Sequence, residues 1–372
     1  MSIYAILIAL WCIAQVAVGI WIARRVRTSA DFFVAGRSLS SSAIFATFLA
    51  ANVGAGSTVG ATAYAYENGL AAWWWNGSAG IGTLILAFWV GPRLWRAGQS
   101  NNLFTVGDYL AFRYNDHVRG ITALLIWLGS FVILTGQLIG AGVVLYAVFG
   151  WPQWFGSLVA ILITTLYFST GGLMSSAWVN RVQIVVIVCG LAAAALYAVA
   201  GAGGWDVTMA SGPEGTDFWR GRSADMGWPL LFLLGPSFFL SPGLVQRAFA
   251  ARDVAHLRRG IAVSGVVLMI FAAVPVLLGL AARAQFPNLA VAQTALPTLL
   301  TSGVSPWVGA LALAAVFAAE VSSADAVLFM LSTSGARDLY KKFVNTGATD
   351  AQLLTAVRWT AVLAAVVGYI LN

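Results

Sequence analysis

The chain alternates between long apolar runs and short polar stretches. Ten runs stand out, at 3–23, 42–66, 70–92, 120–149, 153–172, 178–203, 227–247, 260–283, 305–334 and 354–371. Each is near the ~20 residues that a helix needs to cross the hydrocarbon core of a bilayer. The pattern predicts an all-α membrane protein with about ten transmembrane helices. Barrel strands would read instead as ~10-residue segments of alternating polarity.

Two runs are interrupted. "LAANVGAGSTVG" (49–60) places Gly54, Gly56 and Gly60 where lipid favours leucine, and 227–247 contains Gly235, Pro236, Pro242 and Gly243. Glycine weakens a helix by roughly 1 kcal/mol relative to alanine, and an internal proline removes a hydrogen bond and clashes with the preceding turn. Inside a bilayer such breaks are tolerated where they line a polar cavity. Packing against neighbouring helices is the alternative use of membrane glycines. The broken runs are the second and the seventh, five apart, and they enter from opposite sides. That is the arrangement of inverted repeats holding solute and ion at the bilayer midplane. The expected organisation is a leading helix and cytoplasmic loop (1–41), repeat one (42–204), an external loop (205–226) and repeat two (227–372). Repeat two would then lack its last core helix. "AAVVGYILN" ends the chain without a polar tail, and the sequence reads as C-terminally truncated.

Composition agrees: 60% of residues are hydrophobic and 9% charged, against roughly a quarter charged in soluble domains. The net charge of +7 does not signal nucleic acid, because the basic residues lie between apolar runs. Arg24, Arg25, Arg27, Arg37, Arg93, Arg96, Arg113, Arg119, Arg181, Arg247, Arg252, Arg258, Arg259, Arg337, Lys341 and Lys342 all fall in alternate loops, while Arg220, Arg222 and Arg283 fall on the other side. The positive-inside rule makes the rich side cytoplasmic. The N-terminus is then outside, in a plasma membrane of the bacterial inner-membrane type. Cys12 and Cys189 lie in apolar runs as free thiols, and His117 and His256 have no partners at metal spacing. No nucleotide-binding, metal-binding or catalytic motif is present, so an enzyme and an organic cofactor are not expected.

The ninth run holds "AAEVSSADAVLFMLSTSGARDLYKK". At helical spacing Ala319, Ser322 and Ser323 share a face, flanked by Glu320 and Asp325. With carbonyls freed at Ala50 and Val53, they could form a cage of neutral oxygens, which suits a small hard monovalent cation. The alternative is that both hydroxyls bond to carbonyls of their own helix.

Together with these residues, "DFFVAGRSLS" (31–40), "LAANVGAGSTVGATAYAYENGL", "TVGDYLAFRY" (105–114), "STGGLMSSAWVNRVQ" (169–183) and "VQRAFAARD" (245–253) resemble, in order, the sodium:solute symporter family. The resemblance implies the five-plus-five inverted repeat of the leucine-transporter type plus extra helices, and a shared sodium site at Ala50, Val53, Ala319, Ser322 and Ser323. Some members carry an aspartate where this chain has Asn180, which argues against a second sodium site. The sugar carriers' glutamine, glutamate and lysine are matched by Ser57, Asn76 and an apolar residue near Leu268. The proline carriers' acid in the first core helix is absent from "NVGAGS". Glu320 stands where the family is usually apolar.

Solute-facing candidates are Ser57, Thr58, Asn76, Gln137, Ser237 and Phe238. Trp73, Trp74 and Trp75 read either as an interfacial belt or as neighbours of the pocket. Gln137 reads either as a link between helices or as pocket lining. Coupling candidates are Glu320, Asp325 and Asn180. The expected function is sodium-coupled import of a small neutral or zwitterionic solute by alternating access. The alternatives are proton coupling through Glu320 and a transporter-like input domain of a membrane sensor kinase.

Overall fold

The computed structural model describes residues 3–372. Among them every regular element is helical, with only two isolated backbone bridges. The first run forms α1 (Ile3–Ala23). The second forms α2 (Ser41–Asn52), a wide helical turn at Gly56–Gly60 and α3 (Ala61–Asn68). α4 (Trp73–Ile85) continues through Leu86–Val90 into Gly91–Ser100. α5 (Asp116–Phe149) and α6 (Gln153–Gly201) follow. The seventh run splits into α7 (Leu230–Leu240) and α8 (Pro242–Ala248). Then come α9 (Val254–Phe271), α10 (Ala273–Gln285), α11 (Pro306–Ser334, running on to Val344) and α12 (Asp350–Ile370).

All ten apolar runs therefore fall on helices. By length and composition, five described helices could each cross a membrane, or seven if each bent pair is one span. The number is below ten partly because the fifth and sixth runs merge. The polar gap expected at 173–177 is not a loop: α6 is helical for 49 residues, broken only by Gly172 at φ 53°, ψ −143°. Both ends of α6 lie on one face of the molecule. Gly156 packs on Gly142 of α5, and Gly201 lies beside the Gly303 carbonyl. Gly172 therefore reverses the chain without a loop. Gly69, at φ 63°, ψ −138°, has the same conformation at the end of α3. A left-handed φ costs other residues roughly 1–2 kcal/mol, and a Cβ at Gly172 would also lie 2.6 Å from the Phe32 ring.

α11 is the axis of the bundle. Its most apolar window is 94% buried, against 39% for α5 and 33% for α12. Small residues permit the close packing: a Cβ on Gly190 of α6 would lie 2.8 Å from that of Ala315. The outer helices expose large apolar side chains, among them Leu124, Leu125, Leu128 and Val132 of α5. A soluble monomer does not present such a surface, and a bilayer covers it.

The arginine-rich loops meet on one face. Arg119 pairs with Asp108 at 2.6 Å and Asp338 at 3.0 Å, Arg337 pairs with Asp108 at 2.5 Å, and Lys342 pairs with Asp116 at 2.6 Å. Arg37 donates to the Leu103 carbonyl at 2.9 Å, and Arg181 to Ser40 at 3.2 Å. Arg247 departs from the expectation. It is 1% exposed within α8, because the helix resumes after Pro242 and carries it into the protein.

Candidate ion and solute site

α2 ends where Val53 turns extended, at φ −104°, ψ 102°. α2 is bent by 65° from the helical stretch that resumes at Gly56. The backbone groups released there are satisfied locally. Gly54 N–H donates to Ser57 Oγ at 2.8 Å, and that hydroxyl lies 3.0 Å from the Asn52 carbonyl. Thr58 Oγ1 donates to the Gly54 carbonyl at 2.9 Å. Ala55 N–H donates to Gln137 Oε1 of α5 at 2.9 Å. Gly54 is required by close approach: a Cβ there would strike Ser323 Oγ and lie 2.5 Å from Gln137 Oε1.

The break faces α11. Ser322 Oγ lies 3.1 Å from the Ala50 carbonyl and 2.9 Å from that of Ala319. Ser323 Oγ lies 3.3 Å from the Ala50 carbonyl and 3.0 Å from that of Val53. Ala50, Val53, Ala319 and Ser322 are fully buried, and Ser323 is 5% exposed. Five uncharged oxygens thus converge, and the two hydroxyl protons bridge them. Ser322 does reach a carbonyl of its own helix, but each serine also reaches across to α2. Back-bonding alone does not account for this geometry.

Beside the cage, α2, α4, α5, α7, α8 and α11 enclose a cavity of about 340 Å³. Its volume is at the low end for small-molecule sites. Ser57, Asn76, Gln137, Ser237 and Phe238 line it, as do Asn52, Trp75, Ser241, Arg247 and Ser323. Asn76 Nδ2 also donates to the Ser57 carbonyl at 2.9 Å. Gln137 therefore both links helices and lines the cavity.

Other candidates lie elsewhere. Thr58 is not among the lining residues; its hydroxyl is 3.4 Å from Glu320 Oε1. Glu320 is fully buried beyond the break, with Oε2 unpartnered among the described residues. Asp325 accepts from Ser176 Oγ at 2.8 Å. Asn180 is fully buried on α6, with neither amide atom partnered among the described residues. Of the three tryptophans, Trp75 lines the cavity. Trp73 and Trp74 pack on Phe218 of the long loop, and the Trp74 indole donates to the Phe218 carbonyl at 2.9 Å. Trp73 and Trp74 are thus held by protein.

Sequence reasoning missed Asn52, Ser241 and Arg247. The first two flank the breaks, so the break positions could have found them. Arg247 gave a misleading signal, because a charge closing an apolar run reads as a loop residue.

An all-helical bundle with two broken helices, a buried oxygen cage and an adjacent cavity defines a multi-pass membrane transporter. Comparison with known proteins agrees. The model of the sodium:solute symporter family matches residues 32–372, and the chain belongs to that family. It is 26% identical to the sodium/glucose cotransporter of Vibrio parahaemolyticus, over 96% of this chain and 72% of that one. It is also 26% identical to the sodium/proline symporter of Escherichia coli (strain K12), over 99% and 77%. A similar 26% relates it to the sodium/pantothenate symporter of Haemophilus influenzae, over 84% and 67%. In fold it matches a substrate-bound, outward-open Na+-coupled sialic acid symporter. The TM-score is 0.88 at 18% identity, covering 100% of this chain and 80% of that one. MhsT in complex with L-phenylalanine matches with a TM-score of 0.65 at 17% identity, over 89% and 79%. The fold is of the leucine-transporter type, and the chain is a transport protein and not an enzyme.

Proposed function

We propose that the chain imports a small organic solute together with sodium, by alternating access. The observation that carries this is the convergence of the Ala50, Val53 and Ala319 carbonyls with the Ser322 and Ser323 hydroxyls, beside a cavity between two broken helices. Sodium is the transported ion, and its charge is met by neutral oxygens drawn from two separate elements. A cation there attracts α2 and α11 more strongly than two shared protons do. Ser57, Asn76, Gln137, Ser237 and Phe238 contact the solute.

Residues 42–204 act as repeat one and 227–372 as repeat two, with α2/α3 and α7/α8 as the corresponding broken helices. The arginine-rich face is cytoplasmic and the N-terminus external, in a bacterial inner membrane. The membrane potential supplies about 2.3 kcal/mol per charge per 100 mV. Relatives named for glucose, proline and pantothenate share the family, which supports a small organic solute without selecting one.

The test is thermal unfolding of the purified full chain in sodium against potassium at equal ionic strength, with the Ser322→Ala/Ser323→Ala variant beside it. A cation that binds only the folded state stabilises by about 2.7 kcal/mol at a hundredfold excess over Kd. Sodium-specific stabilisation absent from the variant is expected. Equal unfolding in both salts for the unaltered protein would reject the sodium cage.

A further inference from the structure

A second groove lies outside the solute cavity, where α1, α6 and α12 meet. Its volume is about 640 Å³, and two arginines line it, Arg24 just past α1 and Arg358 of α12. Arg358 stands roughly two turns inside a helix apolar enough to cross a membrane. A charge in such a place is expensive and calls for a partner. Its Nη2 donates to the Thr170 carbonyl at 3.3 Å, which fixes the guanidinium but leaves its charge unpaired. Among the described residues no carboxylate oxygen comes within 4.0 Å of either arginine, and no acidic side chain lines the groove. Acids at this end of the bundle are engaged elsewhere. Asp350 accepts from Ser29 N–H at 3.1 Å, and Asp31 from Thr28 N–H at 3.0 Å.

The groove is polarised along its length. α1 runs toward the arginine-rich face, and α12 runs away from it. Ile20 is therefore about one turn deeper than Arg24, Val362 about one turn deeper than Arg358, and both line the groove. Its basic end faces the loops and its apolar end faces the bilayer core. Tryptophans mark the boundary between the two. Trp359 in the groove wall is 68% exposed. Nearby, the exposed Trp21 packs edge-on against Trp178, with Arg25 4.8 Å and Arg181 4.6 Å from the respective ring centres. Exposed tryptophan beside arginine is the pattern of the headgroup region.

We propose that this groove holds an anionic phospholipid of the leaflet at the arginine-rich face. Its phosphate sits between Arg24 and Arg358, and an acyl chain lies along Ile20 and Val362. Guanidinium forks suit phosphate oxygens, and Ser169 adds a hydroxyl at the same place. Basic pockets between membrane helices take such headgroups. A soluble phosphate shares the headgroup chemistry but leaves the apolar end of the groove unfilled.

Thermal unfolding of the full chain in detergent would be followed with dioleoylphosphatidylglycerol and with dioleoylphosphatidylcholine at the same mole fraction. A third series would use sodium phosphate without lipid, against sodium chloride at equal ionic strength. The anionic lipid should raise the midpoint above the zwitterionic one, and sodium phosphate should not reproduce the shift. Arg24→Gln should raise the lipid fraction that gives half the shift by about fivefold, the weight of one basic side chain at an anionic surface. Arg24→Gln/Arg358→Gln should abolish the shift. Arg258→Gln/Arg259→Gln, which removes two exposed charges outside the groove, should keep it. Equal shifts with the two lipids, or a shift that survives in Arg24→Gln/Arg358→Gln, would overturn the proposal. An equal loss in Arg258→Gln/Arg259→Gln would replace the site by diffuse surface attraction. A shift of the same size with sodium phosphate alone would assign the arginines to a soluble anion and overturn the lipid. Should the double variant fail to fold, Arg24→Gln decides. Its side chain is exposed, and an unchanged half-saturation there would equally overturn the proposal.

Discussion

At the scale of single residues, Gly54 shows how little room the cage leaves. A methyl group there meets Ser323 Oγ and Gln137 Oε1 together, and both side chains are tied to other partners. Gly54→Ala should lower stability by about 1–3 kcal/mol, the usual range for overpacking. It should also remove the difference between sodium and potassium unfolding midpoints, because Ser323 is displaced. A variant that kept the full sodium response would show that the cage tolerates this displacement. The break and the serine face opposite it were legible in the sequence because both signals were local: a run of glycines, and two serines on one helical face with Ala319. Arg247 was not legible. Its burial depends on where α8 resumes after Pro242 and on what α11 presents to it, and neither is encoded nearby. Thr58 is the converse case. It lies next to Ser57 but outside the cavity lining, and its hydroxyl donates to the Gly54 carbonyl at 2.9 Å, with Glu320 Oε1 3.4 Å away.

Helices show the same division between local and distant information. Hydropathy placed every apolar run on a helix, since burial in lipid selects ~20-residue apolar segments whatever the packing. It did not reveal that α6 reverses at one residue, because the signal is a single left-handed glycine inside "STGGLMSS". Gly172→Ala should destabilise by more than the roughly 1–2 kcal/mol of a left-handed conformation, since its methyl group also meets Phe32. Gly136→Ala on α5 is the contrasting case. Nothing lies within 4 Å of its added carbon, and alanine's better helix propensity should leave stability unchanged or raised by up to about 1 kcal/mol. Midpoints from the same thermal assay would check both, and similar losses at the two positions would contradict the reversal's dependence on Gly172.

For the whole molecule, the grouping of basic loops on one face makes orientation testable. In a background with Cys12 and Cys189 replaced by serine, Ser223→Cys in the long exposed loop should react with an impermeant maleimide added to intact cells. Thr346→Cys, exposed on the arginine-rich face, should react only after permeabilisation. The reverse pattern would invert the proposed topology. Ser323 has a further consequence at this scale: its hydroxyl belongs to the oxygen cage while the residue also forms part of the cavity wall. Whatever occupies one compartment alters the wall of the other. Thermodynamic reciprocity then applies: the factor by which the ion tightens solute binding must equal the factor by which the solute tightens ion binding. A solute that binds equally well with and without sodium would leave sodium affinity unchanged, and could be bound by this protein without being coupled to the ion gradient.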